Sequence, residues 1–342
     1  MTAVFCRNAA DRKAETWEEQ LAPFDRLEFA ISDAAKGIAK AVSGLARDRR
    51  DDPEPPALEH GLDVFHTTME ARRVLAQDWR RVEVAWEKAE AADGEVARSR
   101  RQGIDARGVA QTARAAWGRA IAAFERAERI EAAWGRAYAA LDLFRADGRL
   151  NDRRHAEAEI AEALASLTGP DWSKVRNFLN DARGLNFLDR MRRRLESAEP
   201  DAGLREAMAW RWWLSHRRVP CPHPLMRLVR AVGRECELAE PERASYDRVS
   251  AVLKDTFRAS SAVECMNSVL RMQQSRHKRM TQPMLDLKRL YWNCRVFRDG
   301  PRKKACPYQV LGLELPTYDF WTLIQADPKE LTQTLSIARN AK

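Results

Sequence analysis

The sequence has few cysteines and no long apolar run. Its 342 residues include 6 cysteines, scattered without any Cys-x-x-Cys pair, which argues against a disulfide framework and against the usual zinc-site spacing. Cys221 and His223 would supply only half of a metal site. No apolar stretch reaches membrane-spanning length, and the first residues lack the apolar core of a signal peptide. We therefore expect a cytoplasmic protein without membrane contact.

Acidic residues are scarce in one part of the chain. The whole sequence carries 59 Lys and Arg against 50 Asp and Glu, for a formal net charge of +9. Residues 258–304 alone hold 12 basic and 3 acidic residues, so the excess is local. Such a basic segment predicts a polyanionic partner, with nucleic acid as the first candidate and a solvated face as the alternative.

Strand signals are also rare and lie near the start. Residues 27–32 alternate as a strand and end at Asp33, and residues 34–42 have helix composition. A charged, proline-rich loop covers residues 48–57, and residues 61–66 form a second predicted strand. Strand, Asp and helix in this order are typical of an α/β layer, which places its chemistry at the carboxyl ends of strands.

The middle of the chain, from residue 67 to residue 253, is predicted to be helical. Residues 67–93 and 107–146 read as two long helices, broken at 94–103 and packed as an antiparallel hairpin. Shorter helices are expected at 151–167, 172–196, 201–216 and 224–238. The cluster Trp210, Trp212 and Trp213 predicts core packing, with stacking on an unpaired base as the alternative.

The last third opens with a carboxylate in a helix otherwise short of acid. Ser260 or Ser261 can cap this helix, and Glu264, Asn267 and Arg271 share one face. Taken alone, Glu264 is an ion-pair partner. A second helix is predicted at 283–297, with Leu285, Leu287, Leu290, Tyr291 and Trp292 on its apolar side.

This order of parts resembles a DDE transposase. The motifs are a strand ending in Asp33 followed by Ala-Ala-Lys-Gly, Leu-Asp-Val-Phe-His at 62–66, a long helical block, Arg-x-Ser-Ser-x-x-Glu-x-x-Asn at 258–267, and Leu-x-x-Leu-x-Trp-Asn-x-Arg at 287–295. The nearest type is the bacterial insertion-sequence and Mutator-like group. The resemblance covers residues 17–313 and implies a mostly α fold, in which a large all-helical insertion interrupts a partial α/β, RNase H-like core.

The resemblance assigns roles to particular residues. Asp33 looks like the second catalytic acid and Glu264 like the third, both as ligands of a site for two Mg²⁺ or Mn²⁺ ions. Asp63, His66 and Asn267 look like signature residues beside the site. From the residues alone, the alternative readings are that Asp33 is a helix N-cap and that Asp63 and His66 are a cap and a buried imidazole. The implied activity is cleavage of DNA at transposon ends and strand transfer into target DNA.

The expected domains are a partial catalytic core at 1–66, the helical insertion at 67–257, the catalytic helices with the basic segment at 258–313, and a tail at 314–342. The candidate DNA contacts are Arg258, Arg271, Arg276, Lys278, Arg279, Lys288, Arg289 and Arg295.

The sequence departs from the family pattern before Asp33, where no strand carries the first catalytic Asp. We therefore expect a truncated chain that is inactive by itself and whose two-metal site forms only if the missing first Asp is supplied. The alternative function is a non-catalytic helical protein that binds DNA or another partner. Homodimer formation is left open.

Overall fold

A computed structural model describes residues 11–33, 35–50, 56–216, 238–258, 281–298, 303–310, 312–327 and 329. Glu264, Asn267 and four predicted DNA contacts lie outside these residues, as do Cys221, His223 and nearly all of the predicted helix 224–238. Those four contacts are Arg271, Arg276, Lys278 and Arg279.

The chain is mostly helical, and its one described sheet has two parallel strands. Two compact units are present, one of Met1–Thr16 with Ser261–Lys342 and one of Trp17–Ser260. Helix α1 spans Ala14–Leu21. In the described part, no helix is both long and apolar enough to cross a bilayer.

The small sheet holds a strand–helix–strand unit. Strand β1 is Phe29–Ser32, helix α2 is Lys36–Asp48, and strand β2 is Glu59–Leu62. The prediction of strand β1 ending at Asp33 is confirmed. The second strand, predicted at 61–66, ends earlier, because the Asp63 side chain caps a helix that begins at Val64.

The two strands approach closely at Gly61. A Cβ atom at Gly61 would lie 2.6 Å from Cζ of Phe29, which is closer than van der Waals contact allows. The Phe29 ring in turn lies 5.3 Å from Cζ of Arg190, in a cation–π contact. Glycine is therefore required at this position of β2.

The predicted antiparallel hairpin is present, with a longer first helix, a shorter second helix and a later turn. Helix α3 spans Val64–Arg101 and helix α4 spans Arg107–Ala140. The break predicted at 94–103 is wrong in its first part, because α3 continues through Gly94, where a long helix tolerates a cost of about 1 kcal/mol. Gly103, at φ 71°, lies in the turn that follows α3.

Aromatic pairs join the two long helices along one flank. Trp79 contacts Phe124 with ring centroids 5.6 Å apart, and Trp86 contacts Trp117 at 5.1 Å, both edge to face. From the first pair to the second, the contact moves toward the C-terminus of α3 and toward the N-terminus of α4. The two helices are therefore antiparallel, as the sequence predicts.

Five further helices complete the unit Trp17–Ser260 in its described part. They are α5 Arg153–Leu164, α6 Ser173–Leu179, α7 Asn186–Ala198, α8 Ala202–His216 and α9 Glu240–Lys254. The predicted helix 172–196 is two helices, because a 3-10 turn at Ala182–Leu185 separates them. Helix α9 lies in the block predicted to be helical, but it was not predicted as a separate helix. One apolar core joins these helices to α3 and α4, with Trp172 and Leu188 among its most buried residues.

The tryptophan cluster of α8 is divided between core and surface. Trp213 is buried, and Trp212 stacks on both Phe144 and His216. Trp210 is 40% exposed and lines a cavity of about 540 Å³. Core packing therefore accounts for Trp212 and Trp213 but not for Trp210.

The other unit contributes three described helices, α10 Gln282–Cys294, α11 Pro307–Val310 and α12 Phe320–Gln325. Leu285 of α10 is buried, but Leu287 and Tyr291 are 51% and 43% exposed. The predicted apolar side of this helix is therefore wrong for these two residues.

Candidate functional site

Asp33 follows strand β1 at its carboxyl end, and its side chain is exposed. Its Oδ1 accepts a hydrogen bond from the backbone N–H of Ala35 at 3.2 Å. Ala35, and not Asp33, is the N-cap residue of α2, and no side chain caps that helix. The reading of Asp33 as a helix cap is therefore wrong, and its carboxylate faces solvent at the end of a strand.

Asp63 follows strand β2 and has a fully buried side chain. Its Oδ1 accepts a hydrogen bond from the N–H of Phe65 at 2.8 Å, and its Oδ2 lies 2.6 Å from Nδ1 of His66. The cap reading of Asp63 is confirmed. The buried-imidazole reading of His66 is wrong, because its side chain is 42% exposed. Asp63 thus fixes the orientation of an accessible imidazole.

The strand register brings Asp33 and Asp63 to one edge. Ser32 pairs with Leu62 in parallel register, and the N–H of Asp63 donates to the carbonyl oxygen of Ser32 at 2.8 Å. The residues that follow each strand therefore meet at the carboxyl end of the sheet. Asp33, Asp63 and His66 form what we call the strand-end site.

Within the strand-end site, Asp33 alone is suited to be a metal ligand. Asp33 is an exposed carboxylate, the hard oxygen donor that Mg²⁺ prefers. Both oxygens of Asp63 already accept hydrogen bonds or pair with His66, so Asp63 does not fit as a ligand. Among the described residues, no group of three or more His, Cys, Asp or Glu side chains is arranged to hold a metal.

A buried polar chain lies behind the strand-end site. The hydroxyl of Ser32 lies 2.8 Å from Nε2 of His60, and Nδ1 of His60 lies 3.3 Å from the guanidinium of Arg183. Arg183 also forms an ion pair with Asp181 at 2.6 Å. The amide of Asn186 donates to the carbonyl oxygen of His60 at 2.7 Å.

The direction of these hydrogen bonds follows from their donors. A guanidinium only donates, so Nδ1 of His60 accepts from Arg183 and Nε2 carries the proton toward Ser32. Burial, and then the charge of Arg183, lower the pKa of His60 to about 4. His60 is therefore neutral near pH 7, and with its proton on Nε2 it cannot serve as a base for Ser32.

Sequence reasoning missed His60 and its partners. The alternation of strand β2 gives one local signal, because it places His60 and Leu62 on the same face. The residues Asp181 and Arg183 lie more than 100 positions later, in a helical block, and no local pattern links them to the strand.

The predicted DNA contacts that the structure describes fall into two groups by location, one at the C-terminus of α4 and one on or next to α10. Arg258 donates to the carbonyl oxygen of Leu141, the C-cap residue of α4, and its backbone oxygen accepts from Val64 N–H at 3.0 Å. Burial lowers the pKa of Arg258. Its guanidinium is thus engaged at the C-terminus of α4, where a cation is favourable, and it has a structural role.

The other three candidates lie on or next to α10. Arg295 is exposed with Cζ 4.9 Å from the Trp292 ring, Arg289 pairs with Asp286 at 3.4 Å, and Lys288 is half-buried. The predicted contacts of these residues with DNA stay predictions. Comparisons of the chain with protein-family models, with curated proteins and with solved structures found no match.

Proposed function

We propose that this chain is a DNA-processing protein of the DDE transposase type, with Asp33 and Glu264 as metal ligands of a phosphoryl-transfer site. The proposal includes an RNase H-like origin for the small sheet. We further propose that the protein works in the cytoplasm, where thiols such as the buried Cys294 and Cys306 stay reduced.

One observation carries the proposal. Two parallel strands joined through a helix end in Asp33 and Asp63 at the same edge, and a long helical block follows at once. Carboxylates at the carboxyl ends of parallel strands are where α/β proteins put their chemistry. The exposure of Asp33 and the engagement of both Asp63 oxygens agree with the division into ligand and signature residue that the resemblance implies.

The chain's own residues would have distinct tasks. Asp33 and Glu264 would hold the metal, which when bound activates the attacking oxygen and stabilises the leaving oxygen of an in-line displacement at phosphorus. Asp63 would orient His66 at the strand ends beside Asp33, with its partly exposed imidazole near a bound DNA phosphate. The basic segment would bind the DNA backbone through Lys288, Arg295 and their neighbours in sequence.

We expect this chain to bind DNA without cleaving it alone. Among the described residues, no acid before Asp33 lies on a strand. Asp11 instead accepts hydrogen bonds from Lys13 N–H and Thr16 Oγ1 near the start of α1. The second candidate function, a non-catalytic DNA-binding protein, is favoured by this observation.

A nicking assay separates the two candidates. Supercoiled plasmid is incubated with the purified chain and with Mg²⁺ or Mn²⁺, and DNA affinity is measured in parallel by fluorescence anisotropy. Binding with no nicking is the expected result for the chain alone. Metal-dependent nicking that disappears in Asp33→Asn and in Glu264→Gln would establish the catalytic reading and contradict the expected inactivity.

One control variant and one binding result complete the assay. Asp63→Asn keeps the helix cap and removes only the charge beside His66, so it tests the signature residue without removing a proposed ligand. Failure of the wild-type chain to bind any DNA would contradict both candidate functions.

A further inference from the structure

The long hairpin has a groove on the flank opposite its aromatic pairs. This hairpin groove, with a volume of about 670 Å³, is lined by Arg80, Arg81 and Lys88 of α3, Arg119 of α4, and Asp171. Four cations and one carboxylate therefore face a single concave surface.

The one carboxylate of the groove is already paired. Arg81 donates to Asp171 at 2.6 Å and also to Asp78 at 2.7 Å. Asp78 is buried and accepts from Nε1 of the buried Trp172 at 2.9 Å. Arg81 and Asp171 are thus paired within the groove, and their charges are compensated.

Three cations remain. Arg80, Lys88 and Arg119 are exposed, and the described residues provide none of them with a hydrogen bond or an ion pair. Of the three, Arg80 alone has an acid at helical spacing in sequence, Glu83, while Lys88 and Arg119 have none at i±3 or i±4. Here three uncompensated cations converge on one groove, which favours an anionic partner.

The opposite flank of the same hairpin has the reverse character. There Trp79 Nε1 donates to Glu131 at 3.1 Å and Trp117 Nε1 donates to Asp93 at 2.7 Å. The groove flank therefore gathers Arg80, Lys88 and Arg119 on one concave surface, whereas the acids Glu131 and Asp93 lie with the aromatic rings on the other flank.

We propose that the hairpin groove is a second contact surface for the phosphate backbone of duplex DNA. Arg80 and Lys88 are separated by about 12 Å along α3, at 1.5 Å per residue. One DNA strand presents a phosphate about every 3.4 Å of helix axis, so three to four phosphates span this length. Arg119 approaches the same stretch from α4.

This inference rests on the proposed function, since it takes duplex DNA as the partner. It differs from that proposal in the residues involved, because the groove belongs to the helical hairpin and not to residues 258–304. No local pattern in the sequence shows it, because Arg80 and Lys88 of α3 and Arg119 of α4 are brought to one groove only by the packing of the two helices.

The test compares two triple variants of the full chain. The groove variant is Arg80→Ala, Lys88→Ala, Arg119→Ala. The control variant is Arg72→Ala, Arg114→Ala, Arg129→Ala, which removes three exposed cations of the same two helices that do not line the groove. Both variants change the net charge equally, and far-UV circular dichroism with thermal melts checks that both fold.

Affinity for a random-sequence DNA duplex is measured over a range of salt concentrations. The groove variant should bind about 10- to 100-fold more weakly, because it loses three cations that face the phosphate backbone. The slope of log K against log salt should fall by about 2.7, from about 0.9 for each lost phosphate contact. The control variant should change both quantities much less.

Equal effects of the two variants would overturn the proposal that the hairpin groove contacts DNA, and would leave the proposed function unaffected. A wild-type chain without DNA affinity would overturn both. A groove variant that loses affinity for duplex RNA but keeps its affinity for duplex DNA would also overturn the proposal, because it would identify a different partner.

A cross-linking measurement does not depend on removing the cations. A photoreactive p-benzoylphenylalanine replaces Val84, which is 44% exposed and lines the groove, or Ile121, which is 49% exposed and does not line it. The proposal expects cross-links to DNA from position 84 and few from position 121. Equal yields from the two positions would contradict it.

Discussion

His60 gives the strand-end region a pH-dependent stability that a single substitution can isolate. Its pKa is about 4 in the folded chain, against an ordinary value of 6.5. Between these values the unfolded chain binds a proton at this imidazole and the folded chain does not. Protonation therefore favours unfolding, and the stability that is fully present above pH 6.5 is lost as the pH falls toward 4.

The expected magnitude follows from the two pKa values. The full difference corresponds to about 3 kcal/mol at 1.36 kcal/mol per pKa unit, and about 2 kcal/mol of it is lost between pH 7.5 and pH 5. Burial is the larger cause, the Arg183 charge adds to it, and the Asp181 charge opposes it. Removing Arg183 should therefore raise the pKa of His60 and reduce the loss.

The assay is urea unfolding at pH 7.5 and pH 5.0, followed by tryptophan fluorescence, for the wild type and for His60→Gln. Other titrating groups contribute equally to both proteins, so the difference between the two pH-dependent losses reports His60 alone. We expect the wild type to lose about 2 kcal/mol more than His60→Gln. Arg183→Met should lie between them. Equal losses in the wild type and His60→Gln would refute the reasoning.

Three further substitutions test the packing that supports the proposed site. Gly61→Ala should lower the free energy of unfolding by about 1–3 kcal/mol in urea denaturation, because its Cβ collides with Phe29; the smaller Phe29→Leu should restore part of the loss, and no recovery would contradict the collision. Asp78→Ala should cost about 1–3 kcal/mol by leaving the buried Trp172 indole N–H without its acceptor, and a double-mutant cycle with Trp172→Phe should show coupling. Asp63→Ala should cost about 1–2 kcal/mol through loss of the α3 cap, whereas Asp63→Asn should keep most of that stability; equal losses would show that charge, and not capping, is what matters.

The local parts of the fold were predictable, because their signals lie within a few residues. The alternation of apolar residues before Asp33 predicts the first strand, and the aromatic spacing of α3 and α4 predicts the hairpin. The turn of the hairpin was predicted too early, because Gly94 reads as a breaker in sequence although the long helix absorbs its cost.

Helix α9 was not predicted as a separate helix for a related reason. Its buried face includes Ser245 and Ser250 as well as Val249, Val252 and Leu253, so the apolar stripe that marks an amphipathic helix is interrupted. Burial of those serines is a property of the packed chain that the helix sequence alone does not show.

The partners of the candidate site were the least predictable. The sequence singled out Asp33, Asp63 and His66, because each lies at a strand end or a helix start. It gave no sign that Arg183 would reach His60, or that cations of α3 and α4 would share a groove. Both depend on tertiary contacts across many tens of residues, for which the sequence has no local pattern.

The central claim is that the Asp33 carboxylate binds a divalent metal ion beside bound DNA. Mn²⁺ affinity, measured by electron paramagnetic resonance on the complex with duplex DNA, tests this claim directly. We predict that the wild type binds Mn²⁺ and that Asp33→Asn weakens the binding at least about tenfold, the range seen when a supporting group of a metal site is removed. Equal Mn²⁺ affinity in the wild type and in Asp33→Asn would contradict the claim.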